Sequence, residues 1–484
     1  MKLKDLLKDV TSSCLSGSME TEVTSIAYDS RKVSEGTLFV CLRGFATDGH
    51  KYIDDAVKAG AAAILAEEDP DHHTGVTVVK TDDTRKALAF ISARWFGHPA
   101  EKMTMIGLTG TKGKTTVAHM IKKILEEEGH KVGMIGTLGA FIGSEKMETR
   151  NTTPESYELH HMFRQMLDAG CSHVVMEVSS QGLKMHRTDG ITFDYAAFLN
   201  ISPDHIGAGE HEDFDDYLNC KKRLFSQARV TVANIDDSHW QEVTADADEV
   251  YTVSLIRDAD FMGRNIRNIW EPKILGVEFE ITGKFDEKIV LNMPGAYNAE
   301  NALTAAGIAY LMGVSPDIIA RGISETRVKG RTQLLTDVHF STFLIDYAHN
   351  ALSMENLLKT LREYEPKRLI CLFGGGGNKA RQRRFDMGEM AGKYADLTII
   401  TLDNPRFEST EEINKDIIRG LDVYGGEYKV IMDREEAIHY LIDNCGEGDI
   451  VALIGKGHEE YQEIEGVKHF FSEEKIVSEY LRTK

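Results

Sequence analysis

The segment Met105-Ile-Gly-Leu-Thr-Gly-Thr-Lys-Gly-Lys-Thr-Thr116 sets Gly107, Gly110 and Gly113 at every third position. An apolar run precedes these glycines, and a stretch patterned as a helix (Val117 to Glu128) follows. The N–H groups of such a loop, with the positive end of the next helix, can cradle phosphate. Gly110, Thr111, Lys112, Gly113, Lys114, Thr115 and Thr116 are therefore candidate ATP ligands. Lys114 can reach the β- and γ-phosphates, and the Thr115 hydroxyl can ligand Mg²⁺. The strict pattern G-x-x-x-x-G-K-[ST] is not met, because residue 108 is leucine. A glycine-rich turn with no ligand is the plain alternative, and the order strand, loop, helix speaks against it.

Two more residues could complete a metal site. Glu177 closes the apolar run His173 to Met176, and a carboxylate at the end of a parallel strand sits where α/β sheets bind ligands. His205 follows a second apolar run, Tyr195 to Asn200. Taken alone, Glu177 could merely flank its strand and His205 could be a solvated loop residue.

The elements that must position these groups alternate along nearly the whole chain. Short apolar runs at 36–42, 61–66, 103–108, 173–178, 195–200, 369–373, 397–401 and 450–454 are separated by helical stretches. That alternation predicts an α/β fold with parallel sheets. His98-Pro99 and the Val328-Lys329-Gly330-Arg331 region break the pattern, so three domains are expected: 1–98, 99–332 and 333–484. Residues 1–15 read as a short amphipathic helix, and 298–324 as one helical stretch.

Composition narrows the function. The chain of 484 residues carries 56 Lys and Arg against 77 Asp and Glu, a net charge of −21. That surface cannot coat nucleic acid, although a local cationic loop still suffices for a small anion. Six cysteines without a C-x-x-C pair read as reduced thiols, so a cytoplasmic protein is expected. No run approaches the ~20 apolar residues of a membrane span, so no membrane insertion is expected. A monomer is expected.

Taken together, these segments resemble the Mur ligase family, in the branch that adds the third amino acid to the peptidoglycan stem peptide. The resemblance runs over essentially the whole chain. Tyr28-Asp29-Ser30-Arg31, with Gly44 to His50, is similar to the family's uridine-nucleotide segment. Thr109 to Thr116 matches its variant phosphate loop. Asn151-Thr152-Thr153-Pro154, Glu177 to Leu183 with Ser179, and Arg187 match its muramyl-peptide segments, although Met185 stands where relatives often have Gln. Lys221 falls where the family carries a carbamylated, metal-binding lysine; by residue type alone it is an ordinary surface lysine beside Lys222. Asn298 and Asn301 match its adenine contacts, Arg331 its interdomain phosphate contact, and Asp346 with His349 its C-terminal nucleotide contact. Helix caps and a linker charge are the bland readings of these residues.

The resemblance further implies a Rossmann-like C-terminal domain that binds the incoming amino acid. Asp403-Asn404-Pro405-Arg406 is similar to the motif of relatives using meso-diaminopimelate, and Gly455 and Glu459 match amino-acid contacts. Lys379 stands where relatives usually place an arginine, with Arg381, Arg383 and Arg384 crowding behind it. Lysine cannot reproduce the bidentate guanidinium fork. The implied reaction is ATP-dependent: the glutamate carboxylate of a UDP-muramyl dipeptide becomes an acyl phosphate, which a diamino acid then displaces. Rival readings are the same reaction with L-lysine, a folylpolyglutamate-synthase-like ligase, a P-loop switch NTPase and an inactive binding paralogue.

Overall fold

The structure, a computed structural model, describes every residue except 45–46, 71–73, 205, 208–209, 272, 336–340 and 484. The chain forms two compact units, one of Met1–Asp260 with Gly307–Val314, the other of Phe261–Ala306 with Ser315–Lys484.

The first unit holds two sheets. In the smaller, the strands run in the order Ser12–Ser16, Thr77–Thr81, Ala61–Ala66, Thr37–Val40, Ser25–Ala27. All pairs are parallel except the Ser12–Ser16 edge. Side chains alternate between faces with period two. Leu38, Val40, Leu65 and Val79 pack with Leu88 and Ile91 of the helix Thr84–Trp95. Phe39, Cys41, Ile64 and Val78 pack on the other face with Ile53 and Ala56 of the helix Ile53–Lys58. Burial on both faces explains why these strands read as continuous apolar runs.

Only Leu3–Leu6 of the expected N-terminal helix is helical. Leu3, Leu6 and Leu7 are buried, but the serine-rich Ser12–Ser16 pairs as an edge strand instead. The helix Thr84–Trp95 ends before His98, whose φ of 51° turns the chain, and Pro99 opens a 3₁₀ turn.

The larger sheet of this unit carries parallel strands in the order Val250–Ser254, Ala228–Asn234, Phe193–Phe198, Thr104–Thr109, His173–Glu177, Val132–Gly136. Two antiparallel strands, Gly139–Ile142 and Glu145–Met147, extend it. The chain passes from Thr104–Thr109 to Val132–Gly136, returns to insert His173–Glu177, and then crosses to Phe193–Phe198. The strand order thus switches direction beside the glycine-rich loop.

In the second unit, Phe261–Glu271, Ile274–Gly283 and Glu287–Leu291 form an antiparallel meander. A six-stranded sheet follows in the order Gln333–Leu335, Thr342–Asp346, Asp449–Ile454, Arg368–Phe373, Leu397–Ile400, Tyr428–Val430, parallel beyond its first edge pair. Leu369, Cys371 and Phe373 face one core, and Ile370 and Leu372 the other. The helical stretch expected over 298–324 is two helices, Ala296–Leu311 and Pro316–Glu325. Gly313 (φ 94°) and Pro316 break it, since proline's missing N–H and fixed ring suit a helix start.

Candidate active site

The strand Thr104–Thr109 has His173–Glu177 on one side and Phe193–Phe198 on the other, with Glu177 opposite Leu108 and Phe198 opposite Thr109. Loop and carboxylate therefore emerge together at the carboxyl edge, at the switch point. Gly113 has φ 89° and caps the helix Lys114–Glu127, a left-handed conformation that glycine adopts without steric cost. The loop is tied down on its far side. The Thr111 and Lys112 N–H groups donate to the Asn200 carbonyl and its Oδ1, each at 2.9 Å. Thr111 Oγ1 accepts from the Ser202 N–H at 3.0 Å and lies 3.0 Å from the Tyr217 hydroxyl.

Glu177 is buried and accepts three hydrogen bonds. Its Oε1 accepts from the Thr115 hydroxyl (2.9 Å) and the Thr137 N–H (3.0 Å), and its Oε2 accepts from the Thr137 hydroxyl (3.1 Å). Lys114 Nζ donates to the Gly110 carbonyl at 2.6 Å. Lys221, on the helix Phe214–Lys222, is buried rather than on the surface. Its Nζ donates to the same Gly110 carbonyl at 3.0 Å and lies 4.5 Å from the Tyr217 ring centroid. Burial, and next the charge of Lys114, hold the Lys221 amine well below the ordinary lysine range. The neutral amine is the form that attacks CO₂. His205 lies outside the described residues.

The segments expected to bind the muramyl peptide meet at the same edge. Thr153 Oγ1 donates to the Glu177 carbonyl (3.0 Å), accepts from the Ser179 N–H (3.0 Å) and lies 3.1 Å from Ser179 Oγ. Ser179 also caps the helix Ser180–Lys184 by accepting from the Gly182 N–H. Thr152 Oγ1 lies 3.1 Å from Thr137 Oγ1. Arg187 donates to Glu155 Oε1 (2.9 Å) and the Thr153 carbonyl (3.0 Å), and Glu155 Oε2 takes Arg85 at 3.2 Å. Asn151 is exposed, and Ser30 is half-buried in a 3₁₀ turn capped by Asp29.

His211, Asp216 and Cys220 also bring donor atoms within 4.8 Å of one another. Asp216 Oδ2 already takes Lys184 (2.7 Å) and lies 3.0 Å from His211 Nδ1. An ammonium on that carboxylate disfavours a cation there.

The remaining candidates lie in the second unit. Asn298 and Asn301 are buried, the first donating to the Pro294 carbonyl (2.8 Å) and accepting from Asn301 (3.2 Å). Arg331 stacks over the Tyr347 ring at 5.1 Å. Asp346 accepts the Thr332 and Ala348 N–H groups at 2.7 and 2.8 Å, and burial still holds its carboxyl above the usual range. His349 Nδ1 lies 2.9 Å from the Tyr347 carbonyl.

At the carboxyl end of the six-stranded sheet is a cavity of about 280 Å³ lined by Lys379, Arg383, Arg384, Arg406, Asp403 and Glu459, with Asn404, Gly455 and His349 among the others. Gly455 has φ 108°. Arg406 is held by Glu463 (3.0 Å) and the Gly377 carbonyl (2.7 Å), and Pro405 lies against Gly377. Arg384 is buried and bonded to the Gly376 carbonyl and Glu408, so the flanking cations on the cavity wall are Lys379 and Arg383. Asn404 donates to Glu459 Oε2 at 2.9 Å, and burial raises the Glu459 carboxyl. Cations and acids face one cavity, a bipolar arrangement suited to a zwitterion.

Sequence reasoning passed over Thr137, Glu155, Tyr217 and Lys456, each of which touches a candidate residue far away in the chain. Only Thr137 carried a signal: it follows the strand Val132–Gly136, at the sheet edge that binds ligands.

A glycine-rich loop between strand and helix, with a carboxylate bonded to its threonine, is the architecture of an ATP-using P-loop enzyme. The chain belongs to the Mur ligase family. Its models match as "Mur ligase family, catalytic domain" over residues 22–96, "Mur ligase middle domain" over 108–309, and "Mur ligase, glutamate ligase domain" over 330–457. The UDP-N-acetylmuramoyl-L-alanyl-D-glutamate--2,6-diaminopimelate ligase of Clostridium perfringens is 38% identical, with 100% of both chains covered. The enzyme of that name from Caldanaerobacter subterraneus subsp. tengcongensis is 39% identical over 99% of each. A solved structure of a ligase of that name superposes with a TM-score of 0.75 and 26% identity, covering 100% of this chain and 99% of the other.

Proposed function

We propose that the chain is an ATP-dependent ligase that joins 2,6-diaminopimelate to UDP-N-acetylmuramoyl-L-alanyl-D-glutamate in peptidoglycan synthesis. The cavity of the second unit carries this reading: Lys379, Arg383 and Arg406 line it together with Asp403 and Glu459. Diaminopimelate has an ammonium and a carboxylate at each end. L-lysine would leave the cations without a distal carboxylate, and a guanidinium paired with a carboxylate is a strong, charge-assisted contact.

Joining an amine to a carboxylate is uphill in water, so the carboxylate must first be activated. Its oxygen attacks the γ-phosphorus, the bond to ADP breaks, and an acyl phosphate forms. The amine nitrogen then attacks the acyl carbon, phosphate leaves with its oxygen, and the amine loses a proton. Lys114 and the N–H groups at the start of the helix Lys114–Glu127 hold the phosphates and offset charge as it moves. Ser30, Asn151, Thr152, Thr153, Ser179 and Arg187 hold the muramyl dipeptide. Asn298, Asn301, Arg331, Asp346 and His349 supply nucleotide contacts on the second unit.

Thr115, Glu177 and Lys221 as its carbamate suit Mg²⁺, because all three present oxygen to a hard cation. His205 is proposed with them on resemblance alone. The buried Lys221 is a poor site for an ammonium and a good one for a carbamate bonded beside Lys114. The bound ion would neutralise phosphate charge. Segments 1–98, 99–332 and 333–484 are proposed as the functional domains of a cytoplasmic monomer. Among the described residues no helix is long and apolar enough to cross a membrane.

The test is ADP release with each substrate left out in turn. A ligase releases ADP in step with peptide bonds and only with both acceptors. A switch NTPase would release it with ATP alone.

A further inference from the structure

Lys456 has a fully buried side chain, an uncommon place for a lysine. Its Nζ donates to Asn404 Oδ1 at 2.8 Å and lies 3.0 Å from Asp403 Oδ1 and 3.9 Å from Glu459 Oε2. Every one of those partners lines the amino-acid cavity, whereas Lys456 itself does not. Its neighbours Gly455 and Gly457 both have positive φ, 108° and 54°. The turn thus sends the Lys456 side chain beneath the cavity rather than into it. Asn404 then passes the arrangement on: its Oδ1 also accepts the Glu463 N–H, and Glu463 holds Arg406.

Resting on the reading of this cavity as the amino-acid pocket, we propose that Lys456 is a positioning residue for substrate choice. Its buried ammonium holds Asp403, Asn404 and Glu459 where they receive the amino acid, without touching the substrate. A buried ammonium is costly unless paired, so a structural lysine at this place would be poor economy. Pairing with two cavity acids gives the charge a use. The charged and titratable groups that act on Glu459 include Lys456, Asp403, Arg406, Tyr347 and Tyr461, and Lys379, Arg383 and His349 line the same cavity. Burial raises the Glu459 carboxyl, and Lys456 is the largest influence pulling it back down. Removing the ammonium lets it rise further, so the carboxylate is lost at a higher pH.

The test compares wild type with Lys456→Met and with Lys456→Gln, which removes the charge but keeps a hydrogen-bond donor for Asn404 Oδ1. Steady-state constants are measured for ATP, the UDP-muramyl dipeptide and diaminopimelate from about pH 4.5 to 9, with the fold checked at each pH. The proposal predicts a KM for diaminopimelate at least tenfold higher, with the other two KM values within twofold. It also predicts that the acid limb of kcat/KM for diaminopimelate moves to higher pH in Lys456→Met. Equal changes in all three KM values, or an unmoved acid limb, would overturn it. If Lys456→Met does not fold, Lys456→Gln decides through the same KM and acid-limb comparison. Failure of wild type to turn over diaminopimelate would sink the reading of the pocket, and the proposal with it. Normal turnover with an unaffected variant sinks the proposal alone.

Discussion

Gly136→Ala is a small change with a large consequence for the phosphate site. A Cβ at this position would stand 2.8 Å from Glu177 Cδ and 3.0 Å from its Cγ, and nearer still to Oε1. Ordinary van der Waals contact begins at 3.4 Å, so the carboxylate must retreat by about 0.6 Å or more. The hydrogen bonds it makes now, 2.9 Å to Thr115 Oγ1 and 3.0 Å to the Thr137 N–H, would stretch toward the limit of useful geometry. A misplacement of about 1 Å in a catalytic constellation costs roughly 100-fold, so a loss of about 10- to 100-fold in kcat is expected. The overpacking itself should cost about 1–3 kcal/mol of stability, which leaves a folded enzyme to assay. The assay is steady-state ADP release with a parallel thermal melt. Gly446→Ala is the control, since its added Cβ meets nothing within 4 Å. Wild-type kcat in folded Gly136→Ala would refute the placement of Glu177 at the reacting phosphates.

Three further outcomes are expected. Lys221→Ala should be nearly inactive and partly rescued by a short-chain carboxylic acid; full activity without rescue removes the carbamate from the account. Arg406→Ala should lower the preference for diaminopimelate over L-lysine by about 10- to 100-fold, the worth of a charge-assisted hydrogen bond, and an unchanged ratio counts against that pairing. Cys14 is exposed, whereas Cys41, Cys171, Cys220 and Cys371 are buried, and burial pushes the Cys220 thiol up to about 11 and the Cys41 and Cys445 thiols up to about 12. One thiol should therefore react fast with a disulfide reagent at pH 8, and Cys14→Ser should remove that phase; several fast thiols would contradict the burial.

The phosphate loop was legible because its chemistry is local: strand, glycines, lysine and hydroxyls lie within twelve consecutive residues. Glu177 was legible because a carboxylate ending an apolar strand has a known place in an α/β sheet. Lys221 was not, since a lysine beside another lysine reads as surface, and only resemblance singled it out before the structure put it against the loop. The supports were hidden for a physical reason. Thr137 meets Glu177 from 40 residues away, and Lys456 meets Asn404 from 52. No spacing rule spans such separations; the sheet register creates the contacts. The N-terminal helix misled because Leu3, Leu6 and Leu7 have helical spacing, while Ser12–Ser16 gains more as a paired edge strand.

The product of a competition between the two diamino acids decides what this enzyme makes. The enzyme is given ATP, the UDP-muramyl dipeptide, and equal concentrations of meso-diaminopimelate and L-lysine, and the nucleotide-linked peptides are weighed by mass spectrometry. The diaminopimelate adduct is expected in excess, with one ADP released for each peptide bond made. A predominant lysine adduct would contradict the assigned substrate, and ADP release with no adduct at all would contradict the ligase.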